Sequence, residues 1–551
     1  MPKPTSPIDP LEGQPFALAG RMVCMDDRFT DIPDGVLYTE KGSIVAVQKK
    51  NDPPPPGFEG IPVLDTKGTV FPGLIELHNH LPYNILRLWD VPKKYEHRGI
   101  WAGSEEYSMN VVWPMKVIAK SAGMVPAVAR YTECKCLTAG VTTSQGIRLY
   151  SDARAPGYYK GIVRNVEQTH QTDLPGADTR VADMDARELE SFYRRLLAST
   201  CFLLHLCEGV GDTTRSKFTL LQFPDGKWAI ERQLAGIHCV GLADRDFDVM
   251  AAEKGAMVWS PLSNLLLYGE TARFRKALES GVRLGLGSDW SPSGSKNLLG
   301  ELKVVQALCR SLTGMNDRDI VRMATLGAAE ILAWNGVIGS LESGKRADLM
   351  VIDGTPKDSY GALIRAKETD VRLVMINGVR RYGVPSLMRQ AGRPLERILV
   401  GGEARDLFLK QAVQDPKVAA LSLGEAERQL RTALRQLPNL AAKLEKGPSK
   451  PKTKSRFGSF DPNSPPVWHL ALDEIEDTGV DVRLRLPAGL TGEVPPSMRV
   501  SRAPKKPLSQ LLKPLTLDPL TVADDDEYLD RLDRQMNLPD DVKSALKEAY
   551  G

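Results

Sequence analysis

The sequence predicts an α/β fold in which a repeating strand–helix core is flanked by two β-rich segments and followed by a C-terminal extension. Three observations predict it. Short apolar strands alternate with helical patterns across residues 72–335. Strand-like text brackets that core at 14–70 and again at 336–383. Beyond residue 400 the text turns into charged helical stretches and proline-rich segments.

In the core, apolar strands are expected at Gly73–Leu77, Gly140–Ser144, Gly161–Val166, Cys201–Leu206, Gly236–Val240, Ala256–Ser260 and Val282–Gly287. Helical patterns such as Ala186–Ala198 and Thr271–Ser280 lie between most of them. A closed parallel barrel needs eight strands over roughly 250 residues. The strand that is lacking should fall between 167 and 200, where Thr179–Met184 is the one weak candidate.

The first flank reads as strands at Phe16–Met25, Gly35–Glu40 and Ser43–Gln48, with a hairpin turn at Lys41-Gly42. Pro53–Pro56 cannot sit in a central strand and must be loop. The second flank carries GVIGSLESGKRADLMVIDG and DVRLVMINGVRRYG. Together the flanks suggest one small domain built from both ends of the core.

The extension is helix-rich over 404–445 and linker-like over 446–466, where limited proteolysis is expected. A short strand near Val480–Leu486 and an acidic helical tail from Asp525 follow. The closing QMNLPDDVKSALKEAYG reads as an amphipathic helix suited to wrapping the core or to a homo-oligomer contact. The extension is expected to be accessory and to supply no metal ligand.

Length and composition narrow the function. At 551 residues, two or three domains are expected. Hydrophobic residues at 42% and charged residues at 26% suit a soluble enzyme. A net charge of +3, from 72 basic against 69 acidic residues, argues against a nucleic-acid partner. The basic run Lys443, Lys446, Lys450, Lys452, Lys454 and Arg456 reads as a solvated linker. MPKPTSPIDP lacks the apolar stretch of a signal peptide, and no run of about 18 apolar residues suggests a membrane partner. Seven scattered cysteines, several within apolar runs, point to a reducing, cytoplasmic setting without disulfides.

Four of the seven histidines sit at or beside predicted strand ends. His78 and His80 alternate with Asn79, so in a strand both imidazoles face the same way. His205 ends the apolar CFLLH, His238 lies in GIHCVGL, and Asp289 follows LGLGS. In a parallel barrel such strand ends converge on one mouth. Three imidazoles and a carboxylate suit one divalent ion, Zn²⁺ or Fe²⁺, and leave a position for water. Singly, each has a plainer reading: a core histidine, or an aspartate capping the next helix.

The string PGLIELHNH, after a VLDTKGTVF strand, resembles the opening signature of the metal-dependent amidohydrolase superfamily. The resemblance runs on through FLLHLCE, GIHCVGL, SPLSN, GLGSD and IGSLESGKRADLMVID, over about residues 14–383. It implies a (β/α)8 TIM barrel over 72–335 and a small β-sandwich domain from 1–71 and 336–400, with 401–551 as the extension. Carried over by position, His78, His80, His205 and Asp289 would hold the metal, and Asp289 would act as general base. Glu208, three residues past His205, matches the His-x-x-Glu pattern of the mononuclear aromatic-deaminase and chlorohydrolase branch, where the glutamate shuttles a proton. His238 would stabilise charge developing on the substrate. Binuclear members carry a carboxylated lysine on the fourth strand. No lysine fits that place here, which favours one metal, with Glu167 as an alternative bridge to a second.

Tyr83, Trp89, Tyr95, Trp101, Tyr107 and Trp113 recur every six residues after His80. They would pack the loop on the barrel rim or stack on a flat substrate. Tyr83, Asn264 and Trp290 are candidate substrate contacts.

The expected activity is hydrolysis of a non-peptide C–N bond in a cyclic or aromatic small molecule, by deamination or cyclic-amide opening. The same site could instead remove halide or alkylamine. A catalytically silent barrel acting as a binding or assembly protein is the reading from another class.

Overall fold

The computed structural model describes residues 14–151, 156–310, 315–389, 394–411, 421–446, 468–473 and 506–551. Most of the proline-rich linker, the Val480–Leu486 strand and much of the basic run lie outside the described residues.

Eight short parallel strands occupy the core. The first three, Leu74–Glu76, Val141–Ser144 and Arg164–Asn165, form one sheet. The other five, Asp178–Arg180, Phe202–Leu206, Leu234–His238, Ala256–Trp259 and Arg283–Leu286, form a second. Backbone bonds link the two sheets at both margins. Ala177 N donates to Val166 O at 2.9 Å, and Leu77 N donates to Leu286 O at 3.0 Å. Asn79 and Asp289 add an isolated parallel bridge beyond the strand ends.

The strand lacking in the sequence reading is Asp178–Arg180, which overlaps the weak Thr179–Met184 candidate. It escapes pattern reading because it is short and polar. The helices expected before strands are present as Leu189–Ala198 and Phe274–Glu279.

Both strand faces are buried, as parallel sheets require. Leu203, Ala235, Ile237, Ala256 and Val258 share one apolar cluster with Ala328, Leu332 and Trp334. Their neighbours Phe202, Leu204, Leu234, Met257 and Trp259 pack with the helices in another. His205 is two residues beyond Leu203 and so lies on the first of these faces.

The two flanks join in one continuous nine-stranded sheet. The Phe16–Val23 strand pairs with Asp31–Glu40 on one side and with Val63–Pro72 on the other. Val63–Pro72 then pairs antiparallel with Leu349–Asp353 from the second flank. The sheet continues through Val371–Ile376 and Val379–Gly383 to Glu403–Leu407, just past residue 400. Lys41 and Gly42 both take left-handed backbone, φ 51° and 79°, which the tight hairpin between Glu40 and Ser43 demands.

The extension packs on the core. The helix Leu423–Arg435 lies against Met124–Thr138, and the terminal helix Asp540–Tyr550 buries Val542, Ala545 and Leu546. A buried ion cluster adds to the contact: Lys135 Nζ meets Asp518 at 2.5 Å, while Lys296 Nζ meets Asp518 at 2.6 Å and Asp525 at 2.8 Å. All seven cysteines are free and buried. Among the described residues, no helix is long and apolar enough to cross a membrane.

Candidate active site

The strand ends gather His78, His80, His205, His238 and Asp289 into one buried group. The ring of His78 lies 4.8 Å from His80, 4.7 Å from His205 and 5.0 Å from His238. Ligand atoms of His78, His205 and His238 fall within 4.8 Å of one another, and so do those of His78, His80 and Asp289. Asp289 Oδ1 sits 3.0 Å from His78 Nε2 and 3.5 Å from His80 Nε2.

What orients the imidazoles is the partner of each Nδ1. His78 Nδ1 meets Gln145 Oε1 at 2.9 Å, and that oxygen also accepts from Asn79 N. His205 Nδ1 lies 3.3 Å from Arg180 O. His238 Nδ1 meets Asn264 Oδ1 at 2.9 Å, and His80 Nδ1 meets Asp473 Oδ2 at 2.7 Å. Every partner is an oxygen acceptor, so each Nδ1 carries the hydrogen and each Nε2 is left to face the common centre. His78 Nε2 is buried without a hydrogen bond, although Asp289 is near. Such an orphaned nitrogen, among further imidazoles and one carboxylate, fits a divalent cation.

Electrostatics agree with that donor set. Burial holds the His205 imidazole well below its usual range, and the neighbouring histidines push the same way. Burial also lowers His238, although Glu208 and Asp289 partly offset it. Asp289 is opposed by burial, yet His78, His238 and His80 keep its carboxyl below the usual range. Burial disfavours charge on His80 too, but the Asp473 and Asp289 carboxylates outweigh it and raise the imidazole to about 9. A cation at Nε2 would take the place of that proton.

Asp289 is also held from behind. Ser263 Oγ donates to Asp289 Oδ2 at 2.6 Å, Asp289 N donates to His78 O, and its backbone is left-handed at φ 65°. His238 is likewise left-handed at φ 70°. Non-glycine residues held in this region cost of order 1–3 kcal/mol each, and such strain collects at working sites.

Glu208 lies beside the cluster, with Oε2 3.9 Å from His238 Nε2 and 3.7 Å from Arg98 Nε. Tyr268 Oη donates to its Oε1 at 2.7 Å. Glu208, Arg98, Trp101, Tyr107 and Trp290 line a small cavity of about 20 Å³ with the metal-binding candidates. A neighbouring cavity of about 70 Å³ is lined by His80, Tyr83, Gln145, Glu167, Arg180 and Asp473, among others. Burial pushes the Glu167 carboxyl up to about 7 despite the Gly146 N–H bonded to it.

The aromatic series packs as the rim-packing reading expects. All six rings are buried, so they pack the rim. Tyr83, Trp101 and Tyr107 additionally surround Trp290, with centroids 5.2, 6.0 and 5.9 Å from it.

Asn264 is fully buried behind His238, is bonded to it and lines neither cavity. The extension reaches the site, where Asp473 lines both cavities and meets His80 Nδ1. Sequence reading also missed Gln145, Arg98 and Tyr268, whose roles depend on contacts between distant segments. The fourth parallel strand, Asp178–Thr179–Arg180, contains no lysine.

Known proteins resemble this chain over the same region. A 5-methylthioadenosine/S-adenosylhomocysteine deaminase of Moorella thermoacetica is 25% identical over 372 residues, covering 59% of this chain and 84% of that protein. The enzyme of the same name from Syntrophobacter fumaroxidans is 37% identical over 157 residues, covering 26% of this chain and 36% of that protein. Among solved structures, a zinc-bound adenosine deaminase from Xanthomonas campestris aligns at 19% identity with a TM-score of 0.48, covering 68% of this chain and 94% of that one. The match to the amidohydrolase family itself spans residues 205–381. That span holds His205, Glu208, His238 and Asp289, and with it the chain carries an amidohydrolase family domain.

Proposed function

We propose that this protein is a mononuclear metal-dependent hydrolase that cleaves a C–N bond of a flat cyclic or aromatic small molecule, with deamination the favoured reaction. One observation carries the proposal: four imidazoles, each with Nδ1 engaged by an oxygen acceptor, present Nε2 to a centre bordered by Asp289. His78, His80, His205 and Asp289 would hold the ion, Zn²⁺ before Fe²⁺ given nitrogen-rich donors. The deaminase names of the relatives support an amino-heterocycle as substrate.

A bound divalent ion supplies Lewis acidity that makes water a nucleophile near neutral pH. Asp289, kept ionised by its histidine neighbours, takes the proton of the attacking water. Glu208, oriented by Tyr268 and Arg98, returns a proton to the ring nitrogen or the leaving amine. His238, its Nδ1 fixed by Asn264, stabilises the charge that develops on the substrate. Trp290, Tyr83, Trp101 and Tyr107 exclude water and offer apolar faces to a flat ring.

We read the eight parallel strands over 72–335 as a closed (β/α)8 barrel. The bonds from Ala177 to Val166 and from Leu77 to Leu286 support closure. The flanks, 1–71 and 336–400, are read as one β-sandwich domain. The clustering of Leu18, Leu37, Val70, Leu349 and Leu373 around one core supports that reading. Residues 401–551 are read as the C-terminal accessory extension, whose first strand, Glu403–Leu407, joins the sheet of the flanks.

The test is a screen of amino-heterocycles, lactams and related cyclic amides for ammonia release or ring opening, with protein of measured metal content. Ammonia release in proportion to metal is expected. Protein purified without chelator that holds no stoichiometric metal would sink the proposal.

A further inference from the structure

The acceptors that fix His78, His205 and His238 all come from the core itself: Gln145, the Arg180 carbonyl and Asn264. Of the four imidazoles, His80 alone takes its acceptor from the C-terminal extension, from Asp473. That carboxylate arrives on a short described segment, 468–473, which is built into the core surface. Trp468–Leu470 pairs antiparallel with Arg148–Ser151, in the register Trp468–Ser151, His469–Tyr150 and Leu470–Leu149. Ala471 N then donates to Arg148 O at 3.0 Å, and the His469 ring stacks on Tyr150 at 5.1 Å.

Leu470 and Leu472 are buried on either side of Ala471, which anchors the segment at its apolar positions. Asp473 N donates to Tyr83 Oη at 3.0 Å. Backbone and side chain of Asp473 are therefore both directed, one by Tyr83 and the other by His80. The Asp473 side chain is about a quarter exposed, while that of His80 is 14% exposed. The carboxylate and the imidazole line the same two cavities side by side.

A neutral histidine that ligates through Nε2 needs a partner for Nδ1–H, which selects the tautomer and locks the ring. We propose that Asp473 is a positioning residue for His80, so that the C-terminal extension completes the metal site of the core. The proposal rests on the metal reading above. Asp473 is not a ligand: its oxygen contacts Nδ1, the nitrogen facing away from the common centre. The extension thereby sets one ligand and lines the side of the cavity next to Tyr83.

The experiment measures metal affinity of the full chain by competition with a chromogenic chelator, for wild type, Asp473→Ala, Asp473→Asn, Asp473→Glu and His80→Ala. Thermal unfolding of each metal-free protein is followed alongside. Loss of such a partner typically weakens metal affinity by about 10–100-fold. Asp473→Ala is expected to lose that much and Asp473→Asn somewhat less, since its amide oxygen still accepts. Asp473→Glu should recover most of the affinity, with metal-free melting temperatures unchanged. If Asp473→Ala does not fold, the near-isosteric Asp473→Asn decides.

Wild-type affinity in Asp473→Asn and Asp473→Ala, beside a loss in His80→Ala, overturns the role of Asp473 and leaves the metal reading standing. Retained affinity in His80→Ala overturns both.

Discussion

Tyr268 donates its hydroxyl to Glu208 at 2.7 Å, and both side chains are buried beside His238. Tyr268 in turn accepts from Trp101 Nε1 at 2.7 Å, so the hydroxyl is fixed from both sides. Burial and the adjacent carboxylate keep the Tyr268 phenol well above its usual range, which makes it a dependable donor. The carboxylate is thereby aimed with one oxygen at Tyr268 and the other toward His238 and Arg98.

From this aim follows the first prediction. Glu208→Gln should keep its metal and bind substrate, yet turn over at least about a hundredfold more slowly, mainly in kcat. Tyr268→Phe should retain the carboxylate but release one of its oxygens, costing about tenfold in kcat, equivalent to the roughly 1.4 kcal/mol of one such bond. Steady-state kinetics with metal analysis of each variant checks both. Near-normal kcat in Glu208→Gln would make Glu208 a spectator.

The ligand set predicts a different signature. His78→Ala, His80→Ala and Asp289→Ala should each abolish turnover, the histidine changes through loss of metal. Elemental analysis after gel filtration reads the occupancy directly. His78→Ala with a full complement of metal would remove His78 from the ligand set.

Asp518 predicts a stability effect remote from the chemistry. It is buried between Lys135 and Lys296, and Lys135 also donates to Asn84 O and Ser291 Oγ. Asn84 bonds Asn79, the residue between His78 and His80, so the cluster is tied to the first strand end. Asp518→Ala would leave two buried ammonium groups competing for Asp525. Breaking a buried pair from one side costs about 3–5 kcal/mol. Urea unfolding of the variant should show that loss. A change within about 0.5 kcal/mol, the range of ordinary surface substitutions, would contradict it.

His78, His80, His205, His238 and Asp289 were legible because each follows a run of apolar residues, and strand ends of a parallel core converge. Glu208 was legible only by its spacing from His205. Asp178–Arg180 was legible only as the weak Thr179–Met184 candidate, since three polar residues carry no period to count. Asp473 left no trace. It sits on a short segment just past the proline-rich linker, and its partner is near it only after the Trp468–Leu470 pairing forms. Asn264 is legible as a polar residue near the site, but its hydrogen bonds to His238 and Thr271 are not. Local patterns therefore reveal which strands end in ligands, while the groups that orient those ligands depend on tertiary pairing.

The last prediction concerns Lys303, which is buried where the core meets the terminal helix. Its ammonium donates to the carbonyls of Leu299 and Ala366 and lies 5.1 Å from the Tyr550 ring. Burial dominates over attraction from Glu368 and Asp370 and pushes the amine down to about 8. An unfolded lysine titrates near about 10.4. Below pH 8 both states are protonated and the full cost of burying the charge is felt. Between about 8 and about 10.4 the unfolded chain binds more protons than the native one, so stability gains with rising pH through that window. Lys303→Met keeps the apolar stem and removes the titration. Relative to this variant, the wild type should gain roughly 1–3 kcal/mol between pH 7 and pH 10. Urea unfolding of both proteins at matched pH reads the difference. Stability curves that run parallel across that range would show that the Lys303 ammonium is no harder to keep charged in the folded protein than in water.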